Sequence, residues 1–248
     1  MGFRIWDLGF FFKSAIRNHQ SEIEMNDYRN LASELVTALK KQGADAADVY
    51  IVSSNGFNTT IRLGNIEKLQ QSTSKGLGLR VFKNGATALT FTTDFQGKTV
   101  QELVKETLEI VKVSNADKFN GLAPKEMLGE FTGKLMLFDD SLAAITPEKK
   151  IAMVKEMEDT GRSFDKRITN SNGASWSNSI GQITLANSDG FVGQYQTTIA
   201  SMSVGLLAEE NGVKQRDGWY SFNRYFNKLD SPKSIGEEAA RRTIRRLG

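Results

Sequence analysis

The 248-residue chain contains no cysteine and a single histidine, His19. The first absence excludes disulfides and thiolate metal sites, and fits a reducing compartment. The second removes almost every histidine-based mechanism. A peptidase zinc site draws on two or three nitrogen ligands, which this chain cannot supply. A Ser-His-Asp arrangement would have to use His19, in the least domain-like part of the sequence. A long apolar run is also missing. The opening stretch MGFRIWDLGFFFKSAIRNHQSEIE is broken by Arg4, Asp7 and Lys13, too short and too charged for a membrane span. It lacks the apolar run and cleavage site of a secretory signal. Met25 precedes an orderly helical pattern, so residues 1–24 are expected to be a leader outside the fold or an amphipathic surface helix.

An excess of basic charge is missing as well. The formal charge is +3, and Lys233–Gly248 alone contributes five basic and two acidic residues, so the remainder sums to zero. A nucleic-acid footprint would spread over a fold. A basic last turn instead complements a helix dipole.

With 39% apolar and 25% charged residues, the composition is that of a globular protein with ample core. Leu31, Leu35, Val36 and Leu39 line one helical face that Gly43 ends. A run of strand signals follows, with hairpin dipeptides at Asn55-Gly56 and Asn84-Gly85. Thr99 and Glu102 have capping-box spacing before a helix that points Val100, Leu103, Val104, Leu108 and Val111 inward. A looser connector, 116–145, leads to Thr146-Pro147, a cap followed by proline at the first helical position. Strand signals then resume, with turns expected at Asn172-Gly173, Asp189-Gly190 and Asn211-Gly212. The closing helix carries Ser234 and Glu237 at capping-box spacing, apolar Ala240, Ile244 and Leu247, and a terminal Gly248 suited to a C-cap. The expected fold is α+β: two units of antiparallel sheet flanked by helices, helix–strands–helix twice. The expected domains are 25–115 and 146–248, with 1–24 as leader and 116–145 as connector.

Motifs for chemistry are scarce. The glycines of GLGLR (Gly76–Arg80) lead into a strand, whereas a dinucleotide loop opens a helix. Asp139-Asp140, Glu209-Glu210 and Glu237-Glu238 are adjacent carboxylates, read as surface charge. Trp176, Trp219, Tyr195, Tyr220 and Tyr225 fit either core packing or an aromatic peptide groove. Asn170, Asn172, Ser175, Ser177 and Asn178 make one strand polar, suggesting a wet face or interface. No catalytic, cofactor-binding or metal residue is assigned.

The stretches DKRITNSNGASWSNSIGQITLANSDGF, SVGLLAEENGVKQRD, YFNKL and IGEEAARRTIRRLG resemble the TldD/PmbA family, called modulators of DNA gyrase. The likeness reaches back through GADAADVYIVSSNGFNTTIRLGNIEKLQQSTSKGLGLRVFKNGATALTFTTD and covers 25–248, and the last helix looks more like the PmbA (TldE) branch. The resemblance implies a cytoplasmic, hetero-oligomeric metallopeptidase assembly acting in proteolysis and maturation of small or unfolded peptides. It implies zinc in a TldD-type partner carrying an HExxxH helix, which the PmbA-type subunit lacks. No position here matches that motif, so no zinc is expected in this chain and no activity alone. The resemblance also implies that this chain corresponds to the N-terminal half of a family member, with a C-terminal domain missing and apolar surface, including SMSVGLLA, exposed in its place. Homo-oligomers are a further expectation. The alternatives are a stand-alone peptide- or protein-binding module using Lys166–Asn178 or an exposed edge, and a gyrase- or nucleic-acid-associated protein using the arginine helix.

Overall fold

A computed structural model describes residues 27–128 and 135–247. The leader 1–24, His19 and Gly248 lie outside the described residues. The elements in chain order are α1 (Arg29–Lys41), β1 (Ala46–Arg62), β2 (Asn65–Lys83), β3 (Ala86–Thr92), α2 (Gly97–Val113), α3 (Asp140–Ala143), α4 (Pro147–Ser163), β4 (Ile168–Asn187), β5 (Val192–Glu210), β6 (Val213–Asn223) and α5 (Pro232–Arg245). The α+β expectation holds, as does the repeated order of helix, three strands and helix. The two triplets join edge to edge into one antiparallel sheet of order β3-β2-β1-β4-β5-β6. The joint is the β1–β4 ladder, from Asp48 opposite Asn187 to Ile61 opposite Ala174.

Because side chains alternate across a strand, the long strands give the sheet two different faces. The odd residues of β1 and the even residues of β4 from Ala174 to Ala186 turn toward the helices, and all are buried except the half-buried Ser53 and Asn55. Two apolar clusters form there, one at each end of the strands. In the first, Leu35, Val36 and Leu39 of α1 and Val100, Leu103, Val104, Leu108 and Val111 of α2 cover Val49, Ile51, Leu77, Leu79 and Val81. In the second, α4 and α5 cover Phe57, Ile61, Trp176, Met202, Val204 and Leu206. Ala240 is fully buried there, with Ile244 and Leu247 packed at its margin. The apolar residues Met202, Val204, Leu206 and Ala208 of SMSVGLLA are therefore core.

Turn chemistry divides instructively. Asn84-Gly85 and Asn211-Gly212 have the positive φ of hairpin turns, and Gly190 likewise turns the chain. Asn55-Gly56 does not turn: it lies mid-strand in β1, with Gly56 opposite both Ser72 and Ser179. Ladders on both sides override the local preference. Asn172-Gly173 is a β-bulge in β4, with Gly173 at φ 102° and its Cα against β1, where an added Cβ would lie 3.2 Å from the Ile61 carbonyl. Two helix starts also shift. Thr146 caps α4 as expected, but Ser231, not Ser234, caps α5 by accepting from the Ser234 amide at 3.1 Å. The α2 cap position is Gln96, and Thr99 donates instead to Asp94 at 2.7 Å.

The actual β1–β2 turn is Leu63-Gly64. Leu63 sits at φ 51°, a left-handed conformation that costs a side-chain-bearing residue roughly 1–2 kcal/mol. Glu158 of α4, fully buried, offsets it: Oε1 accepts from the Leu63 amide and Oε2 from the Gly64 amide, both at 2.9 Å. Two turns earlier on the same helix, Lys150 is buried with Nζ 4.7 Å from the Phe57 ring centroid. A carboxylate of the second unit thus fastens the hairpin of the first, and an ammonium of the same helix lies over Phe57 of β1. The helices α4 and α5 cross at backbone distance, since a Cβ on Gly236 would lie 2.5 Å from the Met157 carbonyl and one on Gly161 3.2 Å from the Gly236 carbonyl.

Replacing Glu158 by Gln turns an amide donor toward a backbone N–H, which should cost about 1–3 kcal/mol in urea unfolding. Exposed Asp159→Asn should cost almost nothing. Burial pushes the Lys150 ammonium down to about 8 from 10.5. Between those values the unfolded chain holds more protons than the folded one, so this group's contribution to stability rises with pH across the window. Lys150→Met should therefore gain on the order of 1–3 kcal/mol at pH 7, and the gain should shrink as pH climbs through about 8 to 10.5. Paired urea titrations at pH 7 and pH 10 measure both quantities.

Candidate functional site

Among the described residues no α-helix packs on the second face of the sheet, and its residues form ordered rows. At one end Phe91, Gly78, Tyr50 and Leu185 lie side by side across β3, β2, β1 and β4. The next row on that face brings Val52, Ile183 and Tyr195 together across β1, β4 and β5. Phe91 is 81% exposed, and Tyr50 and Leu89 are exposed with it. At the other end the rows are polar until they reach β6. Gln70, Asn58, Ser177 and Ser201 lead to Phe222, and Lys68, Thr60, Ser175 and Ser203 lead to Tyr220. Tyr220 and Phe222 stack with centroids 6.3 Å apart and are both exposed. Hydroxyls bond along these rows, Thr60 with Ser175 at 3.0 Å and Ser54 with Ser74 at 2.9 Å.

The polar strand Lys166–Asn178 therefore has two characters. Ser175 and Ser177 look out over the bare face. Ser171, Trp176 and Asn178 look toward the helices, with the buried Trp176 Nε1–H donating to Asn178 Oδ1 at 2.8 Å. From Ala174 onward its backbone pairs with both β1 and β5, whereas Ile168–Gly173 pairs with β5 alone. The aromatics divide the same way: Trp176 is core, Trp219 packs beside the second cluster, and Tyr220 faces outward. An alternating pattern could have separated Ser177 from Trp176, but nothing local shows which parity meets the helices.

The connector crosses the apolar end of the bare face. Leu122, Ala123 and Leu128 close over Asp48, Tyr50, Gly78, Arg80, Leu89, Leu185 and Asn187, enclosing about 350 Å³. Arg80 Nε donates to both Asp48 oxygens, at 3.1 and 3.0 Å, on the floor of this cavity. Burial, and then Tyr195 beside it, raise the Tyr50 phenol above its ordinary value. A second hollow of about 340 Å³ lies between Leu135–Phe138 and Tyr195, Gln196 and Tyr225. There the connector docks on β5 through Thr198 N–H to the Leu137 carbonyl at 2.9 Å.

The paired carboxylates are structural. Asp139 caps α3 and accepts from the Phe226 amide at 2.7 Å. Burial raises its affinity for a proton, but the amide of Phe226 and the donors of Ser141 outweigh it and hold the carboxyl low. Glu209 meets Lys214, Glu210 meets Arg167, and Glu238 meets Arg241. The terminal arginines are likewise engaged by their own chain. Arg242 and Arg246 lie 3.5 and 3.6 Å from Asp217, and Arg242 stacks 4.8 Å over Trp219. The Gly218 amide, and against burial the two arginines, keep the Asp217 carboxyl low. These pairs neutralise most of the patch a nucleic acid would need.

Among the described residues no group of three His, Cys, Asp or Glu could hold a metal ion. A zinc ion has no fitting donor set there. No helix of the described residues is long and apolar enough to cross a membrane. The bare face can bind through hydroxyls, apolar side chains and aromatic rings.

Comparison with known proteins places this arrangement. Residues 47–111 match the PmbA/TldA metallopeptidase domain 1, and residues 140–247 match the PmbA/TldA metallopeptidase central domain. The metalloprotease PmbA of Escherichia coli O157:H7 is 30% identical over 82% of this chain and 45% of its own length. A PmbA homolog of Haemophilus influenzae is 29% identical over 91% of this chain and 49% of its own, and a TldD homolog from that organism is 22% identical over 75% and 38%. Among solved structures, a Bacteroides thetaiotaomicron protein described as a candidate modulator of DNA gyrase superposes with TM-score 0.79 at 26% identity, over 89% of this chain and 50% of that one. TldE from Thermococcus kodakarensis shares the fold, with TM-score 0.75 at 16% identity over 86% and 47%. The chain spans about half the length of the curated relatives it matches. On these two matched domains and the fold that carries them, the chain belongs to the PmbA/TldD metallopeptidase family.

Proposed function

We propose that this chain is a PmbA-type, non-catalytic subunit of a cytoplasmic TldD/PmbA-type assembly that processes or degrades small or unfolded peptides. The observation that carries this reading is the wide sheet face left bare by every described α-helix, apolar at Phe91 and Tyr50 and aromatic at Tyr220 and Phe222. Exposed patches of that kind mark interaction surfaces. The donor set of the described residues supports binding rather than hydrolysis, and the zinc would come from a TldD-type partner. In that role the polar rows between the two aromatic margins hold an extended peptide or partner backbone through hydroxyls.

Two measurements check the reading. The purified chain should contain no stoichiometric zinc and cleave no casein or peptide. One zinc per chain with chelator-sensitive cleavage would overturn the subunit role. Co-expression with a tagged TldD-type protein should recover the chain in the complex. Phe91→Asp and Phe222→Asp replace exposed side chains, so each should leave the melting temperature within a few degrees while cutting recovery roughly tenfold, about 1.4 kcal/mol. Undiminished recovery of both variants would refute the assignment of the bare face. A chain that binds peptides but ignores such a partner would favour the stand-alone module.

A further inference from the structure

The first two glycines of GLGLR serve no nucleotide loop, yet they sit where the bare face would otherwise carry side chains. Gly78 stands opposite Tyr50 and Phe91, and Gly76 opposite Val52, so both belong to that face. Neither has a positive φ. Neither is crowded out of a side chain. A Cβ on Gly78 would lie 3.8 Å from the Tyr50 carbonyl oxygen, and one on Gly76 3.5 Å from a Val52 methyl. What these residues supply is space, and glycine within a strand marks a place where a ligand or another backbone comes close. The space beside Gly78 is the hollow of about 350 Å³ closed over by Leu122 and Leu128. Along its floor Leu89, Arg80, Asp48 and Asn187 stand directly opposite one another across four strands. Asp48 and Asn187 are only 8% and 7% exposed, so what they can still bond to is what enters the hollow. Asn187 Oδ1 accepts from the Asp189 and Phe191 amides, both at 3.0 Å, which identifies its other branch as Nδ2. Asp48 takes Arg80 Nε and Nη2. Among the described residues no hydrogen bond engages Asn187 Nδ2 or Arg80 Nη1.

We propose that this hollow holds one apolar residue of an extended peptide, its side chain over Gly78. Backbone carbonyls flanking that side chain accept from Asn187 Nδ2 and Arg80 Nη1. Two donors without partners call for acceptors, because a ligand that covered them and left them unpaired would forfeit their hydration. The walls Leu89, Leu122, Leu128 and Leu185 give an incoming side chain apolar contact. Charge decides between a carbonyl and a carboxylate. Arg80 is already neutralised by Asp48, so a carboxylate would gain no net attraction here and would face the Asp48 anion. A peptide carbonyl brings the acceptor without the charge. The volume lies at the lower end of the roughly 300–1,000 Å³ of ligand sites, which suits one large side chain and its peptide groups. Gly76 extends the open track along β2 toward the bonded hydroxyls of Ser54 and Ser74, where the rest of the peptide can run on. The proposal rests on the reading of the bare face as a peptide-binding surface, and adds which kind of residue it selects and where.

The test uses the peptide acetyl-Gly-Ser-Phe-Ser-Gly-amide, blocked at both ends, titrated into the isotope-labelled full chain and followed by nuclear magnetic resonance. Binding should saturate, and the side-chain amide signal of Asn187 should move with it. Replacing the phenylalanine of the probe by serine or aspartate should weaken binding roughly tenfold or more. Gly78→Val fills the hollow and should also weaken binding roughly tenfold. Valine suits a strand better than glycine, so the melting temperature of that variant should hold or rise. Free phenylalanine, charged at both ends, should not compete. If it displaces the probe at equal concentration, the hollow is a free amino-acid site and the peptide assignment falls. No binding, equal binding of the phenylalanine and serine probes, a still Asn187 amide, or undiminished binding by Gly78→Val each overturns the proposal. The probe series needs no substitution in the protein, so it decides even if the variant misfolds. A chain that is recovered with a TldD-type protein but ignores the probe loses this proposal and keeps the subunit role. One that binds the probe in the hollow but ignores that partner does the reverse.

Discussion

The β1–β4 ladder is the constraint from which the remaining architecture follows. It binds two strand triplets of similar order into one sheet, running along most of β1 and along β4 from Ala174 to Asn187. Once β1 and β4 share a register, the parity of one dictates the parity of the other. The four long helices of the described residues then fall on one side, and two separate apolar clusters grow on opposite ends of the same strands. A one-residue slip would expose Val49, Ile51 and Ile61 together, so the register is held by both clusters at once. Among the described residues the second face is left without α-helices for the same reason.

The union of the units is reinforced by contacts that cross it. Helix α4 belongs to the second unit, yet its Glu158 holds the Leu63-Gly64 turn of the first and its Lys150 lies over Phe57 of β1. The lysine is carried at a cost that the burial of its ammonium makes explicit, while the carboxylate relieves a strained turn. The arginines of α5 resolve differently: drawn to Asp217 and Trp219, they seat the helix on β6. A basic sequence ending is here a packing device. Family membership accounts for the two matched domains, and the bare face is the surface they jointly offer.

What could be read from the residues was what is local. The inward faces of α1 and α2 were legible because helical periodicity is written within a dozen positions. Asn84-Gly85 and Asn211-Gly212 turn because nothing beside them competes. Asn55-Gly56 and Asn172-Gly173 carry the same local signal and do not turn, since strands flank them on both sides. The merging of two sheets, the parity that hides Trp176 and shows Ser177, and the partnership of Glu158 with a turn ninety-odd residues earlier all depend on distant pairing. No window of sequence contains both partners. The candidate surface is half visible in the sequence: its polar strand stands out, but its place on the bare face depends on the neighbouring strands.

The crossing of α4 and α5 has a consequence for how this protein can change over time. Most helix pairs are separated by side chains, so their spacing can drift by exchanging one residue for a slightly larger or smaller one. At Gly161 and Gly236 the spacer is backbone itself. There is no smaller residue to exchange and no larger one that fits, so the separation cannot be tuned by degrees. The crossing of the two helices is thus inherited whole or lost, while exposed side chains of the bare face such as Phe91 and Phe222 meet no such stop and remain free to vary with whatever they meet.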